Sequence, residues 1–490
     1  MINVFGALRR ILQRRRAGPS FPPPPDDWDE DLYLTFHPDV RNAVNRGIIG
    51  SGFEHYERCG RQEKRRIGFP MWLKGEMRAL SDIEPLLFPS VSLLMGSAEY
   101  RAEPQPAETA YISIMRSLGD QKFTHVFLLP WLKRGGADIV AKNYINVLTD
   151  VFGAKVAVIL TEDADHPWID GVSASATILE FGKAVAALSE EMRLQVLMRL
   201  LLSVQAPVCH NINSRLGWNA FCRHSAALSQ TSKLYVSLFA FSYSPDGEMV
   251  GYPRELDKIA GVLQGVFTDN QPIVDKLVDL YAVPRDLFSV HHSPVNEAPR
   301  IVFSPQKPQR ILWAGRLDRD KRPDLLLAIA QALPDCTFDV FGESILDCND
   351  AEILDTISKL RALENVVLHG VYDGFKSIPT GNYSLFLYTS QSDGMPNVVL
   401  EALSSGLAVI APDVGGIKDV IPPDSGFLVE QHDDVDGYVA VIRSSIQHPE
   451  RIEAERNERM RQLRDRHSLK RFVDEIAHLP PYATPTGVSD

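Results

Sequence analysis

The chain has 490 residues, 44% of them hydrophobic and 23% charged, with a formal net charge of −12. That length predicts about three domains with cores of their own, and the acidic balance excludes general nucleic-acid binding, which needs a basic face. The cysteines, Cys59, Cys209, Cys222, Cys336 and Cys348, form no CxxC pair and no His/Cys metal spacing, as expected of reduced thiols rather than a disulfide framework.

No apolar run approaches the roughly 20 residues that span a bilayer. The opening MINVFGALRRILQRRRAG is broken by arginines and lacks the long apolar core of a signal peptide. A cytoplasmic protein is expected. Residues 1–19 read as a short helix with Ile2, Phe5, Leu8, Ile11 and Leu12 on one side and five arginines beside them. Such a stretch is either a solvated tail or a peripheral contact with an anionic membrane surface. The prolines Pro22 to Pro25 then make a stiff spacer, which closes a first segment at residue 25.

From Asp31 to Arg66, apolar and aromatic residues recur at helical spacing, broken at His37-Pro38 and Gly50-Ser51-Gly52. This predicts a helical module over 26–75, whose aromatics read as its own core. The segment resembles a short element, Y-L-x-x-x-P-D-V … S-G-x-E-H-Y-x-x-x-G-x-x-E, found beside bacterial glycosyltransferase domains. Residues 76–119 form a linker that sequence does not place.

From Thr124 the pattern changes to short apolar runs alternating with amphipathic ones. HVFLLP, KVAVIL, APVCHN, KLYVSLF and GVFTDN read as strands, and KNYINVLTDVFG, ALSEEMRLQVLMRLLLSV and QPIVDKLVDLYAV as helices. A polar stretch at 297–309 interrupts the alternation. It restarts with RILWAGRL, FDVFGE, VVLHGV, SLFLYTS and LAVIAP. Continuously apolar strands between helices mean parallel sheets covered on both faces. The expected fold is α/β, with two Rossmann-like doubly wound domains at 120–296 and 310–450, then a C-terminal helix and tail at 451–490. Ligands of such sheets bind outside the carboxyl ends of the strands.

The chemistry concentrates in Thr389 to Ile421, where a strand, a polar loop and a helix starting near Asn397 follow one another. Asp393 in the loop and Glu401 on the helix are carboxylates near the mouth of the expected cleft. A carboxylate there can accept the two hydroxyls of a ribose, and the amides of the loop and helix start can hold phosphate oxygens. Alone, Asp393 reads as a turn residue and Glu401 as a solvated helix residue. Together, and with Gly406, Gly415 and Gly416 in register, the segment resembles the E-x7-E region of retaining glycosyltransferases of family 4, which have the GT-B fold. Asp393 replaces the first Glu. The resemblance implies that Glu401 binds the ribose, while Asp393 and Gly394, Met395, Pro396 and Asn397 contact the donor sugar and phosphates.

Upstream, ILWAGRLDRDKRPDLLLAIA places Arg316 and Lys321 after a strand. Two cations there can neutralise a diphosphate leaving group without a metal. The segment is similar to the family's G-R-L-x-x-x-K motif. In LLPWLKRGGADIV, Gly135-Gly136 opens a helix after a strand, as a phosphate-approaching loop does. It resembles the family's G-G-A-E loop, with Asp138 in place of Glu. The family often has a His-x-His pattern after a later strand. Here CHNINS has Ile212 where the second His is expected, which leaves His210 and Asn213 as candidates beside the reacting sugar. His210 reads equally as a satisfied core histidine. Asp163-Ala164-Asp165 mimics a D-x-D metal motif but reads as an acidic loop.

The resemblance implies a metal-independent hexosyltransferase of surface polysaccharide synthesis. It would take a nucleoside diphosphate sugar and a glycan or lipid-linked acceptor, with no cofactor. The rival readings are a nucleotide-sugar epimerase or phosphorylase of the same fold, and a non-catalytic GT-B scaffold subunit.

Overall fold

The computed structural model describes residues 23–25, 28–67, 105–133, 135–243, 248–295, 309–343 and 350–483. The basic tail 1–19 and nearly all of the linker at 297–309 lie outside the described residues. Residues 1–121 and 122–490 are two compact units.

In the first unit, Asp29 caps the helix Glu30–Phe36 by accepting from the Leu32 amide, and Ser51 caps Gly52–His55 in the same way. Between them runs Pro38–Asn45, with proline in the first turn where no amide is needed. Trp28, Tyr33 and Phe53 pack against one another at centroid distances of 4.8 and 5.0 Å from Trp28. Tyr33 is fully buried. These aromatics form the module's own core. A further helix, Pro106–Leu118, falls in the stretch that sequence did not place.

The second unit holds two parallel sheets. The first comprises β1 (His125–Leu129), β2 (Val156–Leu160), β3 (Thr177–Leu179), β4 (Val208–Ile212) and β5 (Lys233–Ser237). After a small antiparallel hairpin, β6 (Ser242–Tyr243) with β7 (Met249–Val250), it is completed by β8 (Leu263–Thr268) and β9 (Phe288–Val290). Its spatial order is β3-β2-β1-β4-β5-β8-β9. The second sheet comprises β10 (Arg310–Ala314), β11 (Thr337–Phe341), β12 (Val366–Gly370), β13 (Leu385–Leu387), β14 (Ala408–Pro412) and β15 (Leu428–Val429), in the order β12-β11-β10-β13-β14-β15. Both orders reverse beside the first strand, between β1 and β4 and between β10 and β13. At such reversals adjacent crossovers leave on opposite faces and open a crevice. β1, β2 and β4 are buried along their whole length, which explains their unbroken apolar sequence. The short strands β3, β9 and β15 were not foreseen, since they are only partly buried and make no continuous apolar run.

The C-terminal segment expected as a helix and tail divides between the domains. Pro449–Arg466 contributes Ile452 and Leu463 to the second domain's core. The chain breaks at His467, and Leu469–Ala477 with Pro480–Ala483 carries Phe472, Ile476, Tyr482 and Ala483 into the first domain's core. Beside the break, the Val295 amide donates to the His467 carbonyl at 2.9 Å, and His467 Nδ1 lies 2.9 Å from the Ser293 carbonyl. The two chain crossings between the domains therefore run bonded to each other.

Candidate active site

At the end of β10 the chain enters a tight 3-10 turn, Arg319–Lys321, with Asp318 accepting from the Lys321 amide at 3.1 Å. The turn is bonded to the segment after β13. Thr389 Oγ1 donates to the Lys321 carbonyl at 2.7 Å, and Ser390 Oγ to the Asp320 carbonyl at 2.8 Å. These bonds set Lys321 Nζ 2.5 Å from Asp393 Oδ2 and 3.2 Å from Tyr388 Oη. Tyr388 Oη also donates to Asp393, and the Gly394 amide donates to its other oxygen at 2.9 Å. Burial works to raise the Asp393 pKa, but the Lys321 charge, Tyr388 and the Gly394 amide together hold it below the usual carboxylate value. Asp393 is thus an ionised member of a Lys-Tyr-Asp knot, not an isolated turn residue. Arg316 stands on the rim, 58% exposed, paired with Asp318 at 3.1 Å. An exposed pair of this kind is weak, so the guanidinium can turn to an anion.

The helix Asn397–Ser404 begins at Pro396 and carries Glu401 in its second turn. Met395 and Pro396 are buried, while Glu401 is half-buried. Burial pushes Glu401 up to about 7, partly offset by the charge of Lys376. Its folded pKa lies above the ordinary 4.5, so its protonation favours the fold, and that contribution is lost as pH rises from 4.5 through 7. A ribose-binding role needs the opposite, ionised form. That role would make nucleotide affinity fall as pH drops below about 7, and would make Glu401→Gln flatten the profile. Calorimetry across that range checks this. An unchanged wild-type affinity would remove Glu401 from the site.

The first domain meets this loop at two places. A side chain at Gly136 would come within 2.9 Å of Asn397 Nδ2, so the Gly135-Gly136 loop after β1 lies against the start of the Glu401 helix. Asp138, behind that loop, accepts from the Lys133 amide at 3.3 Å, and burial raises it to about 6. At the end of β8, Asp269 Oδ1 accepts from the Met395 amide at 3.3 Å, and Asn270 Nδ2 donates to the Phe239 carbonyl at 3.0 Å. Ser392 Oγ donates to the Phe241 carbonyl at 2.7 Å. Burial first, and then the charge of Asp393, raise Asp269 to about 7. The approach is close enough to demand glycine. A Cβ on Gly394 would lie 2.5 Å from the Phe239 carbonyl oxygen, and one on Gly415, at φ +53°, 2.1 Å from that of Asp393.

Asp269, Asn270 and Tyr388 were missed by sequence reasoning. Each follows an apolar strand at its carboxyl end, and that placement was the available signal. Asn213 stands where β4 ends, at φ +59°, with its carbonyl accepting from Tyr252 Oη at 3.1 Å. A left-handed, half-buried asparagine at a strand's carboxyl end marks a shaped turn.

His210 requires a correction. It is fully buried, with Nδ1 2.7 Å from Tyr482 Oη and Nε2 2.9 Å from Ser237 Oγ. Burial and the neighbouring His291 and His125 hold it well below its ordinary pKa. Both ring nitrogens are occupied and no solvent reaches it, so it is a core histidine and not a catalytic residue. Asp163 and Asp165 are exposed, and no trio of potential metal ligands among the described residues includes them.

Comparison with known proteins bears on the same region. Residues 295–463 match the family of glycosyl transferases group 1. The chain is 32% identical over 145 residues to sulfoquinovosyl transferase SQD2 of Arabidopsis thaliana, covering 29% of this chain and 27% of that protein. It is 31% identical over 130 residues to the O-antigen biosynthesis glycosyltransferase WbnH of Escherichia coli, covering 26% of this chain and 36% of that protein. The matches thus span about a third of those relatives. Anabaena Alr3699/HepE, solved in complex with UDP-glucose, superposes with a TM-score of 0.57 at 16% identity, over 73% of this chain and 99% of that one. Sucrose-phosphate synthase (tll1590) from Thermosynechococcus elongatus gives 0.59 at 15% identity, over 73% and 98%. The two facing parallel sheets of the second unit are the GT-B fold.

Proposed function

We propose that this chain is a retaining glycosyltransferase that moves a sugar from a nucleoside diphosphate sugar to a hydroxyl of a glycan or lipid-linked acceptor, in bacterial surface polysaccharide synthesis. The observation that carries the reading is the Lys321-Tyr388-Asp393 knot at the carboxyl ends of β10 and β13, with Glu401 on the helix that follows the Asp393 loop. The glycine loop of the other sheet lies across from it. The match of residues 295–463 to glycosyl transferases group 1 supports it independently.

On this reading Glu401 accepts the ribose hydroxyls, and the backbone of Gly394 to Asn397 approaches the diphosphate at a helix start, where partial positive charge accumulates. The bond from the anomeric carbon to the phosphate oxygen breaks, and its electron pair goes to the diphosphate. Arg316 and Lys321 neutralise the charge that develops there. The acceptor oxygen bonds to the anomeric carbon on the same face, and its proton passes to the departing phosphate. Asp393, held by Lys321 and Tyr388, positions Lys321 and contacts the sugar. Asn213 is the first domain's candidate at the acceptor side. The basic segment 1–19 would bring a cytoplasmic enzyme to an anionic membrane carrying a lipid-linked acceptor.

A thermal-shift panel of UDP, GDP, ADP and their sugars should pick out one nucleotide, since a ligand that binds only the folded state raises Tm. With that donor and an acceptor extract, transfer should persist in excess EDTA, because fixed cations stand where a metal would otherwise act. Turnover killed by EDTA and restored by Mn²⁺ would overturn the metal-free mechanism. Epimer formed from donor alone would replace transfer with epimerisation. Nucleotide binding without any turnover would leave a scaffold.

A further inference from the structure

Among the described residues, Tyr33, Val40 and Phe53 are the buried hydrophobic side chains of the stretch from Trp28 to Ile67, and Cys59 there is a free thiol.

His55, Cys59 and Glu63 follow one another at intervals of four along the second half of this module. In an α-helix residues four apart are offset by only about 40° and share a face. Here the helix Gly52–His55 continues into a wider π-turn, Tyr56–Gly60, which draws such residues still more nearly into line. As a result one ligand atom from each of the three lies within 4.8 Å of the others. This spacing was passed over in the sequence because it is not a finger-type pattern, and it carries meaning only once the segment is known to be helical.

We propose that His55, Cys59 and Glu63 bind a Zn²⁺ ion that stabilises this module, apart from any role in sugar transfer. Thiolate and imidazole together select zinc over magnesium or calcium. Tetrahedral zinc at about 2.0–2.3 Å from each donor sets donors about 3.5 Å apart, so the three close in by about 1 Å. Glu63 can supply that movement because it is exposed. Its present partner is Arg65, at 2.7 Å, and Arg65 also holds Asp39. An exposed ion pair is weak, so zinc displaces it and leaves Arg65 with Asp39. Tyr33 Oη lies 2.9 Å from His55 Nδ1. This bond holds the ring, and the nitrogen that does not face Tyr33 is the metal ligand of the proposal. Because Tyr33 belongs to the helix Glu30–Phe36, the metal would tie the two halves of the module together. Water takes the fourth position.

The full chain, stripped by chelator and titrated with Zn²⁺, should retain one equivalent and melt at a higher temperature. Co²⁺ in its place should give a thiolate-to-cobalt charge-transfer band. Cys59→Ser should lose the band and the zinc-dependent shift, yet melt like the wild type without metal, since a hydroxyl keeps the bond to the His55 carbonyl. Glu63→Gln, at an exposed position that folding tolerates, should weaken zinc binding, because a neutral amide is a poorer ligand than a carboxylate. Either no zinc-dependent shift in the wild type, or zinc affinity unchanged in both variants, overturns the site. EDTA should lower the melting of the module and leave transfer intact, which separates this ion from a catalytic one.

Discussion

Lys321→Ala is expected to reduce transfer at least about 100-fold, the scale on which single charge-stabilising donors act in enzymes. It should also destabilise the second domain. Lys321 and Asp393 are only 17% and 24% exposed, and removing one member of a buried ion pair leaves the other uncompensated, which costs about 3–5 kcal/mol where burial is complete. Asp393 is held below its ordinary value of 3.8, so its contribution is present above that pH and is lost as pH falls through the lower folded value. Without Lys321, burial is opposed only by Tyr388 and the Gly394 amide, so the pKa rises and acid unfolding should begin at a higher pH. Lys321→Arg, which keeps the charge but not the ammonium's geometry at Tyr388, should recover the acid stability more fully than the turnover. The checks are kcat/KM for the chosen donor and a melting series against pH. Transfer retained within a few-fold in Lys321→Ala would remove the knot from the mechanism.

The largest effect on stability alone is expected from Tyr482→Ala. Tyr482 is fully buried, and its ring lies 4.9 Å from both Tyr235 and Phe267. Deleting a buried aromatic ring costs about 3–5 kcal/mol. The loss also removes the partner of His210 Nδ1, leaving a polar atom unsatisfied in an apolar core. Tyr482→Phe isolates that second part and should cost about 1–2 kcal/mol. Because the chain has more than one unit, a single global unfolding energy is not well defined. The readout is therefore amide exchange in β4 and β5, which should accelerate in Tyr482→Ala. Protection equal to the wild type would mean that the C-terminal segment does not hold this core.

The two predictions mark the boundary between what was readable in the sequence and what was not. Unbroken apolar runs can sit only in strands covered on both faces, and the amphipathic runs between them must cover those faces. The doubly wound domains were therefore legible from the chain alone. So was the position of Arg316, Lys321 and Asp393 after strands of the second sheet. A polar residue directly after such a strand emerges at the carboxyl edge of the sheet whatever the rest of the chain does. The same rule reached Asn213 and stopped short of Asp269, Asn270 and Tyr388 only because no motif drew attention to them.

His210 was beyond local pattern. Whether a histidine at the middle of a buried strand is a catalytic group or a core group depends on its partners, and here one partner lies 272 residues away. The return of Leu469–Ala483 to the first domain was likewise invisible as packing. An amphipathic helix announces its apolar face but not the surface that receives it. The pairing of Lys321 with Asp393 joins two loops 72 residues apart. Composition and periodicity fixed the long elements and the edge on which polar residues stand, because those follow from backbone geometry and solvent exclusion. Which charges touch, and which are removed from water, was decided only when the tertiary fold closed the distances between them.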